Sequence, residues 1–279
     1  MRKLVVVLVA LLAFMPSVAR AQADSAQVIA AQADGAGDSG DAYADDAQVY
    51  RIVDTEGAYL TSRAGRVYVQ DEYIAQDDRL YRVVEVNGDA LSATAELIGY
   101  EPVNDAAAFA LFEAARAAPK KLVSMYSTHS DESYVPTDGS ASKTKDAGIY
   151  DVGDALKAQL EARGIEVVYS DETFLPHDAG AYRRSRATAE ELLKGGPAAL
   201  LDLHRDGIPD PDEYAKKIDG ENATKVRLLV GKSNANASAN RAFAKEIKAS
   251  ADKKYPGLIK DIYVGKGNYN QELYPNSLL

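Results

Sequence analysis

Two short segments combine the residue types that could bind a metal ion and activate a water molecule. His129 follows the apolar run 121–126, and His204 follows the apolar run 198–203. Glu132 offers a carboxylate three residues after the first histidine. Zinc in hydrolases takes histidine and carboxylate ligands, and it activates water for attack on a carbonyl group. Since the chain has only three histidines, two at matched positions are difficult to ascribe to chance.

The elements around these segments must bring the histidines together. From residue 121 onward, strand patterns alternate with helix patterns, which predicts an α/β domain built on a mostly parallel sheet with helices on both faces. The carboxyl ends of parallel strands share one sheet edge, so His129 and His204 would converge there. Asp202 or Asp206 could orient His204 through a hydrogen bond to its imidazole, without binding the metal itself. The predicted strands are 121–126, 165–169, 198–203, 225–230 and 259–264, and the predicted helices are 152–163, 182–193 and 235–255.

Residues 49–100 have a different pattern, with short β-branched and aromatic segments separated by turn residues. Asn87 and Gly88 form a dipeptide typical of tight hairpins. We therefore predict a small antiparallel β-domain of about five strands, with binding or spacing as its expected role. Residues 101–120 predict a helical linker that ends at Pro119. The five strand segments are 49–53, 66–69, 72–75, 80–86 and 93–98.

The N-terminus has the features of an export signal. A basic start precedes the apolar run 4–15, and residues 19–23 offer Ala-x-Ala cleavage sites. Residues 1–23 are therefore predicted to be a signal peptide or an uncleaved anchor. Either places the protein outside the cytoplasm, secreted or anchored at the cell envelope. Residues 24–48 carry only negative charge and no sustained apolar period, which is typical of a disordered acidic linker.

Composition excludes several classes of function. The net charge of -10 and the pI near 4.9 argue against nucleic acid as a partner. The chain has no cysteine, so disulfides, iron–sulfur clusters and thiolate zinc sites are impossible. Any metal must be held by histidine, aspartate, glutamate or water.

Residues 121–279 resemble the catalytic domain of the stage II sporulation protein P family of cell-wall hydrolases. The resemblance rests on the combination and order of several motifs, and the stretch 71–98 also resembles the small β-region upstream of that domain. The motifs are Thr128-His129 with Glu132-Ser-Tyr134, Val152-Gly-Asp154, Thr173 to Asp178, Tyr182 to Arg186 with Thr188, Asp202 to Asp206, Gly220 with Ala223, Asn240 with Phe243-Ala244, Tyr255 to Leu258, and Tyr269 to Gln271 with Pro275.

The resemblance implies a zinc-dependent N-acetylmuramoyl-L-alanine amidase acting on peptidoglycan in cell-wall remodelling. Such enzymes cut the amide between muramic acid and the first L-alanine, and this family is also associated with cutting peptide cross-links. Other cell-wall remodelling proteins are further partners that it suggests. The implied zinc ligands are His129, Glu132 and His204. An alternative for Glu132 is a carboxylate at a helix N-terminus or facing solvent.

The resemblance also suggests residues that bind substrate. His177 falls on a family motif and would line the cleft, or it is a histidine of a surface loop. Arg186 could bind stem-peptide carboxylates, although exposed helix arginines are commoner. Arg205 could do the same or pair with Asp202. Asn270 and Gln271 could hold stem-peptide amides.

Two positions depart from the family pattern. The family often has a histidine where this chain has Ser127. It also continues, after a segment like 276–279, with a strand carrying the catalytic glutamate, so we expect that residue beyond Leu279. The chain would then be a truncated member, or a degenerate one that binds or regulates the cell wall without catalysis. A serine hydrolase using Ser127 or Ser133 is disfavoured because neither serine lies in a Gly-x-Ser-x-Gly motif.

Overall fold

The computed structural model describes residues 48–102, 121–178 and 180–279. The predicted signal peptide or anchor, the acidic linker up to residue 47 and most of the helical linker lie outside these ranges. Within them, the helices are all too short or too polar to cross a bilayer.

The described residues form thirteen strands and four helices, with short 3₁₀ turns at Pro211–Glu213 and Gln271–Leu273. The helices are α1 (Val135–Asp138), α2 (Gly148–Glu161), α3 (Ala181–Leu193) and α4 (Ala237–Lys254). The strands are β1 (Val49–Asp54), β2 (Tyr59–Ala64), β3 (Glu72–Ile74), β4 (Arg79–Asn87), β5 (Ser92–Tyr100), β6 (Leu122–Tyr126), β7 (Glu166–Tyr169), β8 (Ala199–Asp202), β9 (Ala215–Ile218), β10 (Glu221–Thr224), β11 (Val226–Gly231), β12 (Ile259–Gly265) and β13 (Ser277–Leu278).

A four-stranded parallel sheet in the order β13-β8-β6-β7 forms the part of the fold that the sequence predicts best. All five residues of β6 are buried, as expected for a strand covered on both faces. Helix α3 packs on one face, against Tyr126 and Leu200. Helices α2 and α4 cover the other face, where Met125 and Leu201 are buried.

Gly153 shows how closely α2 approaches this sheet. A Cβ atom at this position would lie 2.2 Å from the ring of Tyr169 on β7. Only glycine allows this separation, because the ring occupies the space that any side chain would need. The helix that follows the first histidine loop is thereby held against the sheet.

A seven-stranded mixed sheet in the order β11-β12-β3-β4-β5-β1-β2 corrects the predicted architecture. We predicted β11 and β12 as members of the parallel sheet and residues 49–100 as a purely antiparallel domain. Instead β11 and β12 pair with each other in parallel, β12 pairs with β3 antiparallel, and β1 pairs with β5 in parallel. Apolar patterns identify strands but do not specify which distant edge each strand meets.

The chain end connects the two sheets. Leu278 of β13 lies beside Leu201 of β8, whereas the next residue, Leu279, bonds to β11. The backbone N–H of Leu229 donates to the carbonyl oxygen of Leu279 at 2.7 Å, and the N–H of Leu279 donates to the carbonyl oxygen of Leu229 at 3.4 Å. The edges of β8 and β11 therefore face each other across this short segment.

Most of the predicted helices and strands exist with shifted ends, but one predicted strand does not exist and one hairpin was not predicted. Residues 66–69 were predicted as a strand, and they form a loop, whereas the strand β2 lies just before them. The hairpin of β9 and β10 was not predicted, because its two four-residue strands, AKKI and ENAT, contain few apolar residues. The turn after Asn87 does join β4 to β5 as predicted.

The main core extends across the predicted boundary between residues 49–100 and 121–279. Ile74 on β3 is fully buried and belongs to the same apolar cluster as Met125, Phe243 and Ile262. Burial of shared apolar surface couples the unfolding of the elements that share it. Whether the two regions behave as separate domains in solution stays a prediction.

We predict that Ile74→Ala lowers the free energy of unfolding by about 2–5 kcal/mol, because it leaves a cavity in this shared core. Urea denaturation, followed by circular dichroism and by tyrosine fluorescence, should show one transition that shifts as a whole. Leu97→Ala on β5 is the control, since Leu97 is 55% exposed. Its effect should stay within about 0.5 kcal/mol. Two separated transitions, with only one shifted by Ile74→Ala, would instead establish independent domains.

Candidate metal centre

The two histidine loops begin side by side because β6 and β8 are neighbours in parallel register. Tyr126, the last residue of β6, pairs with Asp202, the last residue of β8. Asp202 also ties the loops together, since it accepts hydrogen bonds from the backbone N–H (2.8 Å) and the hydroxyl (2.7 Å) of Thr128. His129 and His204 follow this junction. The predicted convergence at one sheet edge is therefore confirmed.

His129, Glu132 and His204 form one compact group of possible metal ligands. Each offers a ligand atom, and these atoms all lie within 4.8 Å of one another. Oε1 of Glu132 lies 3.4 Å from Nδ1 of His129 and 3.3 Å from Nδ1 of His204. Glu132 is only 3% exposed, which rules out the alternative of a solvent-facing carboxylate.

Glu132 is held in place through its backbone as well as its side chain. Its second oxygen, Oε2, accepts a hydrogen bond from the backbone N–H of Arg205 at 2.5 Å. Its carbonyl oxygen accepts from the N–H of Ile149 at the start of α2, and its backbone forms a bridge with Ser142. The carboxylate is consequently fixed by the second histidine loop as much as by its own.

Charge interactions within the group are strong. Burial alone would lower the pKa of His204, but Asp202 and Glu132 raise it to about 10. Burial alone would raise the pKa of Glu132, but the two histidines hold the pKa of this carboxyl below its usual range. Burial lowers the pKa of His129, which favours its neutral form. In the absence of a metal, these shifts favour an ion pair of Glu132 with protonated His204.

The donor set fits a zinc ion. Two imidazoles and one carboxylate are the ligands found in catalytic zinc sites, which keep a further position for water. Nε2 of His204 lies 3.0 Å from Oδ1 of Asp202, close enough for this carboxylate to act on a metal-binding histidine by charge. Zinc would replace the proton on His204 as the positive charge between two carboxylates.

His177 lies beside this group, as expected for a cleft residue. Its ring centroid is 3.9 Å from that of His129, and its Nδ1 lies 2.9 Å from Asp131. The ring of Tyr182 contacts the group from α3, with centroids 5.5 Å from His129 and 6.2 Å from His204. Sequence reasoning missed Tyr182 and Asp131 as neighbours of the site, although Tyr182 begins one of the motifs that carry the resemblance and Asp131 lies between His129 and Glu132.

The two predicted arginines have different positions. Arg205 lines the cavity next to His204, and its guanidinium donates to the carbonyl oxygen of Ala141 at 3.1 Å. Arg186 on α3 instead forms ion pairs with Glu190 at 3.0 Å and with Glu272. Only Arg205 is adjacent to the ligand group.

Asn270 and Gln271 are buried, and their amides bond to the protein itself. Asn270 donates to the carbonyl oxygen of Tyr182 at 3.0 Å. Gln271 donates to the carbonyl oxygen of Leu229 at 2.9 Å and accepts from the N–H of Gly231 at 2.8 Å. These bonds anchor the C-terminal turn to α3 and β11, so position gives no support to the prediction that the two amides bind substrate.

A cavity of about 540 Å³ opens beside the metal group, between β8 and β11. Leucines of both strands and of β13 form its floor, and polar side chains stand at the end near His204. Such a mixture of apolar wall and few polar groups is typical of ligand clefts.

We predict that the metal-free protein loses stability as pH rises above neutrality. The pKa of His204 is about 10 in the folded chain and near 6.5 in an unfolded one. Protonated His204 therefore contributes fully to the free energy of unfolding below about pH 6.5. This contribution falls by up to about 1.4 kcal/mol per pH unit as the pH rises, and it is lost as the pH approaches 10. Glu132 stays ionised throughout this window, because its pKa is lowered.

The measurement compares the free energy of unfolding of wild type and His204→Gln in chelator, at about pH 6 and about pH 9.5. The stability gap between the two proteins should narrow at the higher pH. A gap that is constant across the window would show that His204 is not protonated in the metal-free fold.

Comparison with known proteins agrees with the resemblance seen in the sequence. Stage II sporulation protein P of Bacillus subtilis strain 168 is 31% identical over 179 residues, which are 57% of this chain and 44% of the relative. The chain thus matches less than half the length of that relative. No solved structure matches the chain. The sequence model of stage II sporulation protein P matches residues 41–279, and the chain therefore belongs to this family.

Proposed function

We propose that the protein is a zinc-dependent peptidoglycan hydrolase that cuts the amide between N-acetylmuramic acid and L-alanine. The buried group of His129, Glu132 and His204 is the observation that supports this proposal most. It is a hydrolytic donor set on a sheet edge, beside a cavity large enough for part of a glycopeptide.

Each residue of the centre has a defined part in this proposal. His129, Glu132 and His204 would hold the zinc ion, which polarises water and the scissile carbonyl group when bound. Asp202 keeps His204 oriented and links both loops through Thr128. Burial of Glu132 excludes water from the ligand side and strengthens these interactions.

His177 and Arg205 are the proposed substrate contacts. The ring of His177 lies against His129, and Arg205 borders the cavity. A stem peptide carries carboxylates and amides, which a guanidinium and an imidazole can bind by charge and hydrogen bonding. The name of the Bacillus subtilis relative refers to sporulation. We propose cell-wall remodelling at the envelope as the setting for this chain.

A second candidate is a protein that binds the cell wall without cutting it. One observation favours this alternative. In the described ranges the ligand group contains a single carboxylate, Glu132, and it is engaged by both histidines and by Arg205. No acid or base is then left among these three ligands for proton transfer to the leaving amine.

We predict that the purified chain binds about one zinc ion and that His204→Ala abolishes this binding, because the site loses one of three ligands. His177→Ala is the matched control, since this histidine touches the group but is not one of its three donors. Elemental analysis of dialysed protein measures the zinc content. Absence of zinc from the wild type, or equal loss in both variants, would contradict the assignment of the ligands.

We also predict that the chain releases stem peptides from purified peptidoglycan only while zinc is bound, because the metal ion supplies the polarised water. His204→Ala, which loses a ligand, should release none. The readout is the free L-alanine amine of the released peptides. Release by His204→Ala at the rate of the wild type would contradict the proposed hydrolase, and zinc binding without any release by the wild type would favour the second candidate.

A further inference from the structure

Arg227 on β11 lies at the centre of a buried ionic cluster close to the metal group. Its side chain is 8% exposed, and its guanidinium makes five hydrogen bonds. Two of them form a bidentate pair with Asp261 of β12, at 2.6 and 2.7 Å. Its donors are thereby fully used inside the protein.

The same guanidinium reaches the second histidine loop. Its Nη1 donates to Asp206 at 3.0 Å. Asp206 comes two residues after His204, and it also accepts from the hydroxyl of Tyr214 at 2.5 Å and from the backbone N–H of Ala64 at 3.3 Å. The loop is therefore fixed at this end by three separate donors.

The other end of the loop is fixed by the parallel sheet. The N–H of Leu203 donates to the carbonyl oxygen of Tyr126, at the end of β6. His204 thus lies between one anchor on the parallel sheet and a second anchor at Asp206. A change at either anchor would alter the position of the imidazole relative to Glu132.

Arg227 also connects this loop to residues 49–100. Its guanidinium donates to the hydroxyl of Thr61 at 2.8 Å and to the carbonyl oxygen of Ser62 at 2.9 Å, both on β2. Ala64, which donates to Asp206, ends the same strand. The β-region therefore contacts the loop directly and through Arg227.

We propose that Arg227 is a positioning residue for the metal centre and that β2 forms part of the scaffold that holds His204 in place. This inference rests on the proposed metal site, and it gives residues 49–100 a role other than spacing or independent binding. The planar guanidinium joins Asp206, Asp261 and Thr61 in fixed directions. A lysine ammonium could not satisfy all three, because it is a compact charge without a fork of donors.

The test compares Arg227→Lys with Arg241→Lys. Arg241 on α4 is a matched control, because it also joins the β-region to the rest of the chain through two carboxylates, Glu72 at 2.6 Å and Glu101. Its ion pairs and hydrogen bonds join it to Glu72 and Glu101 rather than to Asp206 or His204. Both substitutions keep the positive charge but remove the forked donors of the guanidinium. Both should therefore lower the melting temperature.

Zinc affinity should separate the two variants. We expect Arg227→Lys to weaken zinc binding by roughly 10- to 100-fold, the usual effect of losing a residue that orients a metal ligand. Arg241→Lys should bind zinc as the wild type does. Affinity is measured by competition with a chromophoric chelator, at a temperature where circular dichroism shows every protein folded.

If Arg227→Lys does not fold, Asp206→Asn provides a second variant, in which the new side chain has nearly the same size as the one it replaces. It retains an oxygen acceptor but loses the charge that pairs with Arg227, and its zinc affinity should fall in the same direction. Wild-type affinity in a folded Arg227→Lys or Asp206→Asn protein would overturn the positioning role. Failure of the wild type itself to bind zinc would instead contradict the proposed function.

Discussion

The parallel pairing of β6 with β8 is the constraint on which the candidate centre depends. It places Tyr126 beside Asp202, so that the chain leaves both strands at the same point. Asp202 then bonds to Thr128 and fixes the separation of the two loops. Helices on both faces bury these strands, and the buried strands hold the loops rigidly. Ligands on such a scaffold are positioned before any metal binds.

Charge pairing stabilises the buried side chains that the backbone brings together. Glu132 is buried between two histidines, and a buried carboxylate is tolerated only when it is paired and hydrogen-bonded. The protonated His204 supplies that partner in the metal-free chain, and a zinc ion would supply it in the loaded one. Arg227 compensates Asp206 and Asp261 on the other side of the loop. Negatively and positively charged side chains therefore alternate through the candidate centre, between the two sheets.

The sequence predicts most of the strands and helices and the proximity of His129, Glu132 and His204, because apolar runs and the few histidines are local features. It does not predict that β3 pairs with β12, since edge pairing depends on contacts between residues far apart in the chain. It does not predict the buried hydrogen bonds of Asn270 and Gln271, because polar side chains are as suitable for anchoring buried backbone as for binding substrate. The sequence also does not indicate the contacts of Arg227, because a lone arginine in an apolar strand belongs to no pattern that identifies its partners.

The central claim is that His129, Glu132 and His204 together hold one zinc ion. Anomalous diffraction at the zinc absorption edge, from crystals of the metal-loaded chain, tests this claim most directly. The account predicts one strong peak at about 2.0–2.2 Å from a nitrogen of each histidine and an oxygen of Glu132. A peak held by other residues, or none at this group while zinc is present in the crystal, would contradict it.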